Sequence, residues 1–167
     1  MRIIASNACN AEEAVTQVAS EVKLLFREKK TCDEEHDSHH ETTLIAFDES
    51  KFRDVQKFQS FVQLSWKMQM EAVVDAGFGN DLQLVLFHPK AMHDTYSEYE
   101  CENSTPDAAV YTIRSPHPTV HLLREQDVIR AVQSGYPNLD QLPTRNKAKL
   151  RRLGLEKCVE NLKKCYE

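Results

Sequence analysis

Thr42-Thr43-Leu44-Ile45-Ala46-Phe47, then Phe52-x-x-Val55-x-x-Phe58-x-x-x-Val62-x-x-x-Trp66-x-x-x-Met70-x-x-Val73 closed by Gly77, then Leu82-Gln83-Leu84-Val85-Leu86-Phe87: read in this order, residues 42–87 spell strand, helix, strand. The first run is rich in β-formers and ends at Asp48, and the last is stopped by His88-Pro89, because proline cannot donate to a ladder. Between them the apolar positions repeat every 3.6 residues, which predicts a helix from Lys51 that buries Phe52, Phe58 and Trp66 as core.

The flanks extend the same alternation. Arg2-Ile3-Ile4-Ala5 predicts a first strand, and Asn10 with Glu13 has the form of a capping box ahead of Ala14, Val15, Val18, Val22, Leu25 and Phe26. That helix is expected to end near Lys29 and Lys30, where cations suit the helix dipole. Downstream, Tyr111–Arg114 predicts a short edge strand and Ser115-Pro116-His117-Pro118 a turn. Leu122, Leu123, Val128, Ile129 and Val132 predict a helix stopping at Gly135, and a final helical region broken at Gly154 carries Leu150, Leu153, Val159 and Leu162.

This order predicts an α/β class: a small, three- or four-stranded, mainly parallel sheet with flanking helices and a C-terminal helical region. The alternative is a ferredoxin-like α+β sandwich. One domain over 1–167 is expected, with a flexible acidic and histidine-bearing loop at 31–41 and a polar loop at 94–107.

Composition excludes several classes. No apolar run approaches the roughly 20 residues that span a bilayer, and Ser6-Asn7 interrupts the start too early for a secretory signal. Five cysteines, odd in number and without a Cys-x-x-Cys pair, argue against a zinc ribbon and for reduced thiols in a cytoplasmic or other reducing intracellular compartment. The net charge of −5 is uneven: Thr144–Glu167 carries eight Lys or Arg against three Glu, leaving about −10 elsewhere. That acidity argues against a dedicated nucleic-acid binder, while the basic tail suits phosphates or an acidic partner.

Ligands of parallel sheets collect beyond the carboxyl ends of the strands. There stand Ser6 and Asn7, Asp48, and His88, a gathering that invites comparison with a catalytic triad. No Gly-x-Ser-x-Gly elbow exposes the serine, so capping is the expected task of Ser6 and Asp48. The densest cluster of chemistry is Arg114 to Glu125, where two prolines fix the backbone among anion-binding Arg114 and Arg124, hydroxyl-bearing Ser115, and proton-transferring His117 and His121. A divalent metal would need His117, His121 and a third ligand from His88 or Glu125. The plainer alternative makes Arg114 and Glu125 an ion pair, with His121 at a core edge. A second group, Cys32, His36, His39 and His40, offers metal-ligand chemistry in an acidic loop.

Arg2-Ile-Ile-Ala-Ser, Thr42-Thr43-Leu44, Phe87-His88-Pro89, Arg114-Ser115-Pro116-x-Pro118 and His121-Leu122-Leu123-Arg124-Glu125, followed by Arg145-Asn146 and Leu150 to Gly154, resemble in order the domain of unknown function 1415 family. The Arg-Ser-Pro-x-Pro and His-Leu-Leu-Arg-Glu blocks carry the resemblance. It implies a shared fold, a shared site at His88, Arg114, Ser115, His121, Arg124 and Glu125, and an N-terminal Leu-Cys-Pro-Phe-Ala segment that this chain does not carry.

The functional expectation is an anionic-metabolite-binding domain or a small hydrolase or transferase. Arg114, Ser115 and Arg124 hold the ligand, His88 or His121 moves a proton, and Glu125 orients an imidazole. The rival is a non-catalytic interaction domain that meets its partner through the basic tail or the long aromatic helix.

Overall fold

The computed structural model describes residues 1–26, 42–92, 107–134 and 141–166. Four strands form one sheet: β1 (Arg2–Ala5), β2 (Thr42–Ala46), β3 (Leu82–Phe87) and β4 (Thr119–Arg124), in the spatial order β1-β2-β4-β3. The α/β class, β1, β2, β3 and the helical C-terminus stand as expected. The pairing is a correction to the mainly parallel sheet: β1 and β2 are parallel, whereas β4 is antiparallel to both β2 and β3. β1, β2 and β3 nevertheless all run the same way, because β4 is inserted between two co-directional strands.

The strand that sequence missed is β4. Thr119-Val120-His121-Leu122-Leu123 alternates, with Val120 and Leu122 fully buried and His121 and Leu123 turned to the opposite face. The prolines before it set an extended backbone that feeds a strand rather than a helix. The helix read there begins only at Glu125: α3 is Glu125–Gln133. Likewise Tyr111–Arg114 is no edge strand, because Ala108–Thr112 forms a 3₁₀ turn capped by Asp107.

The helix α1 (Ala11–Leu25) starts where the capping pattern put it, with Glu13 N–H donating to Asn10 Oδ1 at 3.0 Å. The Glu13 carboxylate reaches back to Cys9 N–H at 2.8 Å. It ends four residues before Lys29, with Phe26 as C-cap. The long central helix is built in three parts: a 3₁₀ turn at Arg53–Val55, α2 (Phe58–Lys67), and a π-helical continuation at Met68–Val74 that closes at Gly77, where φ is +87°.

Its buried face is Phe58, Phe61, Leu64, Met68, Ala72 and Val73. Trp66 and Met70, expected in the core, are 58% and 51% exposed. Nearly every turn of this helix carries apolar residues on two sides, so two stripes fit the sequence. Met68 and Ala72 continue the face of Phe61 and Leu64 at ordinary helical spacing, and the wider π turns let Val73 join them inward.

One hydrophobic cluster joins α1, the central helix and the inner sheet face. Val15, Val18 and Val22 meet Ile45, Phe47, Phe61, Val120 and Leu122. The aromatic centre is edge-to-face, with Phe47 at 6.0 Å from Phe61 and 6.1 Å from Phe52. On the outer face Ile3, Leu44, His121 and Val85 form a row across the four strands, and Ile3 is 68% exposed. The C-terminal helices α4 (Leu142–Leu153) and α5 (Leu155–Lys163) turn about Gly154, again at φ +87°, and α4 packs on the 108–112 turn. Among the described residues no helix is long and apolar enough to cross a membrane.

Candidate functional site

Because β1, β2 and β3 are co-directional and β4 opposes them, the carboxyl ends of three strands and the amino end of the fourth share one rim. Ser6 N–H donates to Ala46 O at 2.7 Å, Phe47 N–H to Pro118 O at 2.8 Å, and His88 N–H to Ile113 O at 3.2 Å. Ser6, Asp48, His88 and the Arg114–Pro118 turn therefore lie along that rim.

The three triad-like residues share the rim and do not bond one another. Ser6 Oγ donates to Gln17 Oε1 and accepts from Ala8 N–H at 3.1 Å. Asp48 Oδ1 accepts from Ser50 N–H at 2.9 Å and from the Ser50 hydroxyl at 2.6 Å, and those bonds hold its carboxyl below the usual carboxylate range. Both are local turn-capping arrangements.

His88 is completely buried. Its Nε2–H donates to Val55 O at 2.8 Å, and its Nδ1 accepts from Lys90 N–H at 3.0 Å, so the bonds fix one neutral tautomer. The ring sits 5.6 Å from both Phe58 and Phe61, and burial pushes its pKa down. With both nitrogens used, this imidazole ties the end of β3 to the turn before α2.

Arg114 is partly buried beside it. Nε donates to Ala91 O at 3.2 Å and Nη1 to the Tyr111 hydroxyl at 3.2 Å, while the guanidinium carbon lies 4.8 Å from the Tyr111 ring centre. No carboxylate pairs with it among the described residues, and most of the guanidinium's five N–H donors are left over. Ser115 Oγ donates to the carbonyl of His117, and Tyr166 closes the turn from outside, its hydroxyl on Pro116 O at 2.6 Å and its ring 6.0 Å from His117.

The remaining expected residues are elsewhere. His121 points from the middle of β4 to the outer face, 6.3 Å from Phe87. The Thr42 hydroxyl gives its proton to Leu122 O at 2.9 Å, so His121 Nε2 is the donor in its short bond to that hydroxyl, and burial again lowers the imidazole pKa. Arg124 pairs with Asp127, which also takes Arg130 at 3.2 Å, and Glu125 accepts from Gln83 Nε2 at 2.6 Å. These last two lie at the far end of β4, a strand length of roughly 16 Å from the Arg114 turn. The Arg114–Glu125 ion pair of the plainer alternative is thereby overturned, as is the expected imidazole oriented by Glu125.

Among the described residues no three His, Cys, Asp or Glu groups are close enough to hold a metal ion. Cys32, His36, His39 and His40 lie outside the described residues. What sequence missed is the bracing of the turn: Tyr111, Ala91 and Tyr166 hold it, and only Tyr111, three residues from Arg114, had a local signal.

Two neutral imidazoles set a pH dependence. Unfolded, each takes up a proton near its ordinary value of 6.5, while the folded values are lowered. The folded state gains stability from them above pH 6.5 and loses it as pH falls through that value toward the lowered ones. Urea midpoints should drop between pH 7.5 and 5.5, with a slope approaching about 2.7 kcal/mol per pH unit if both stay neutral. His121→Gln should roughly halve that slope, and a flat profile would show that both rings titrate normally when folded.

No curated protein and no solved structure matches the chain. Residues 1–160 match a family described as protein of unknown function (DUF1415), and the chain belongs to that family.

Proposed function

We propose that the chain binds a small anionic metabolite through a carboxylate or phosphate group at the sheet rim, with Arg114 as its charged anchor. The observation that carries this reading is a partly buried guanidinium held by neutral groups alone, Ala91 O and Tyr111, with its remaining donors unpaired. A guanidinium anchored through Nε and Nη1 with no counter-charge keeps donors in hand for an incoming anion, which supplies both the opposite charge and the acceptors. Ser115 joins the ligand by turning its hydroxyl away from His117 O.

His88 keeps the rim in shape, and His121, Arg124 and Glu125 have no part in this binding site. The reading is therefore of binding rather than catalysis. Free Cys9, Cys158 and Cys165 suit a reducing intracellular compartment.

The test is thermal melting against inorganic phosphate, citrate and a panel of phosphorylated and carboxylated metabolites, for the natural chain, Arg114→Ala and Arg114→Lys. A ligand at a hundred times its dissociation constant should stabilise the natural chain by about 2.7 kcal/mol. Arg114→Ala should lose the shift, and Arg114→Lys should keep a small part of it, having charge without the fork. Equal shifts in all three proteins, or none in any, would overturn the reading.

A second reading has its own observation. Trp66, Met70 and Val74, four residues apart, are 58%, 51% and 41% exposed along the central helix, which favours an interaction domain using that face.

A further inference from the structure

The helix α4 contains five basic residues, Arg145, Lys147, Lys149, Arg151 and Arg152, and no acidic one. One side of it is occupied. Arg151 makes a forked pair with Asp107, at 2.6 Å from Nη2 and 3.0 Å from Nε, and Lys147, Ala148 and Leu150 are half-buried where the helix lies on residues 108–112.

The other side is cationic and open. At about 100° per residue, Arg145, Lys149 and Arg152 fall within about 60° of one another. All three are exposed, and none is in an ion pair among the described residues. Arg152 reaches only Ala148 O of its own helix, at 3.5 Å. Like charges three and four residues apart repel, so α4 carries a cost that an anionic partner would remove.

The same side carries two apolar anchors. Leu142 and Leu153 are 43% and 45% exposed. They lie within about 40° of Lys149 and about 16 Å apart along the axis.

We propose that this face docks an acidic amphipathic helix of a partner protein, its carboxylates against Arg145, Lys149 and Arg152 and its apolar residues against Leu142 and Leu153. Cations flanked by spaced leucines are what a protein helix matches. A lipid surface needs a broad apolar face to insert, and the inner side of α4 is already laid against residues 108–112. A nucleic-acid backbone would leave both leucines in water, and would meet a chain bearing about −10 outside its basic tail.

Fluorescence anisotropy of the full chain tests this with three labelled probes: a helical peptide with two leucines eleven positions apart and glutamates between them, a single-stranded RNA oligonucleotide, and vesicles containing phosphatidylglycerol. The peptide should bind best, and more weakly at high salt. Reversing the stripe (Arg145→Glu, Lys149→Glu and Arg152→Glu) should weaken it at least about tenfold. The paired change Leu142→Ser with Leu153→Ser should also weaken it. Reversing Lys23, Arg53 and Lys57 to Glu, which alters net charge equally, should leave it nearly unchanged. Equal loss in both reversals, tighter binding of RNA or vesicles, or no peptide binding would overturn the proposal.

Discussion

Replacing His88 by alanine should cost about 3–5 kcal/mol of folding stability, one of the two largest losses expected from a single change in this chain. The imidazole is fully buried and spans two backbone groups, the carbonyl of Val55 and the N–H of Lys90. Its removal leaves the buried Val55 carbonyl without a partner, frees the part-buried Lys90 N–H, and opens a cavity against Phe58 and Phe61. Equilibrium unfolding in urea measures the loss. His88→Gln, which offers both a donor and an acceptor, should recover part of it, whereas His88→Leu fills the space and should recover little. A loss below about 1 kcal/mol for the alanine variant would mean that the rim does not depend on this ring.

The second large effect separates the two stripes of the central helix. Phe61→Ala removes a fully buried ring that meets Phe47 edge-on at 6.0 Å and His88 at 5.6 Å, and should cost about 3–5 kcal/mol. Trp66→Ala removes a larger side chain, yet one that is 58% exposed, and should cost no more than about 1 kcal/mol. Denaturant midpoints of the two variants read the contrast directly. The reverse order would put Trp66, and not Phe61, in the core.

Elements whose signals are local were legible from sequence. β1, β2, β3, the start of α1 and the break at Gly154 each rest on a run of residues that specifies its own conformation. What sequence obscured was relational. Nothing local in Val120-x-Leu122 says that this strand lies between β2 and β3, and the central helix is apolar on two sides, so its phase is set by what packs against it.

The candidate site divides on the same line. The Arg114-Ser115-Pro116 turn was legible as a rigid place for an anion because prolines and the guanidinium act where they stand. Grouping it with Arg124 and Glu125 relied on nearness in the chain, and a strand converts ten residues of nearness into opposite ends of a sheet. The bonds that engage both nitrogens of His88 come from Val55 and Lys90, and the 33-residue reach to Val55 left no trace in spacing.

The placement of β4 also orders events in time. β3 has β4 as its sheet neighbour, and β4 is the last in sequence of the described strands. During synthesis β1 and β2 can pair as soon as both exist, but the hairpin-like closure of β3 must wait for residues 119–124, across a connection whose ends must first be brought together. The final strand then zips two waiting edges at once, so completion of the sheet and completion of the core are one step. Until residues 119–124 dock, the Leu82–Phe87 segment has a bare edge, the interval in which a chaperone has something to hold.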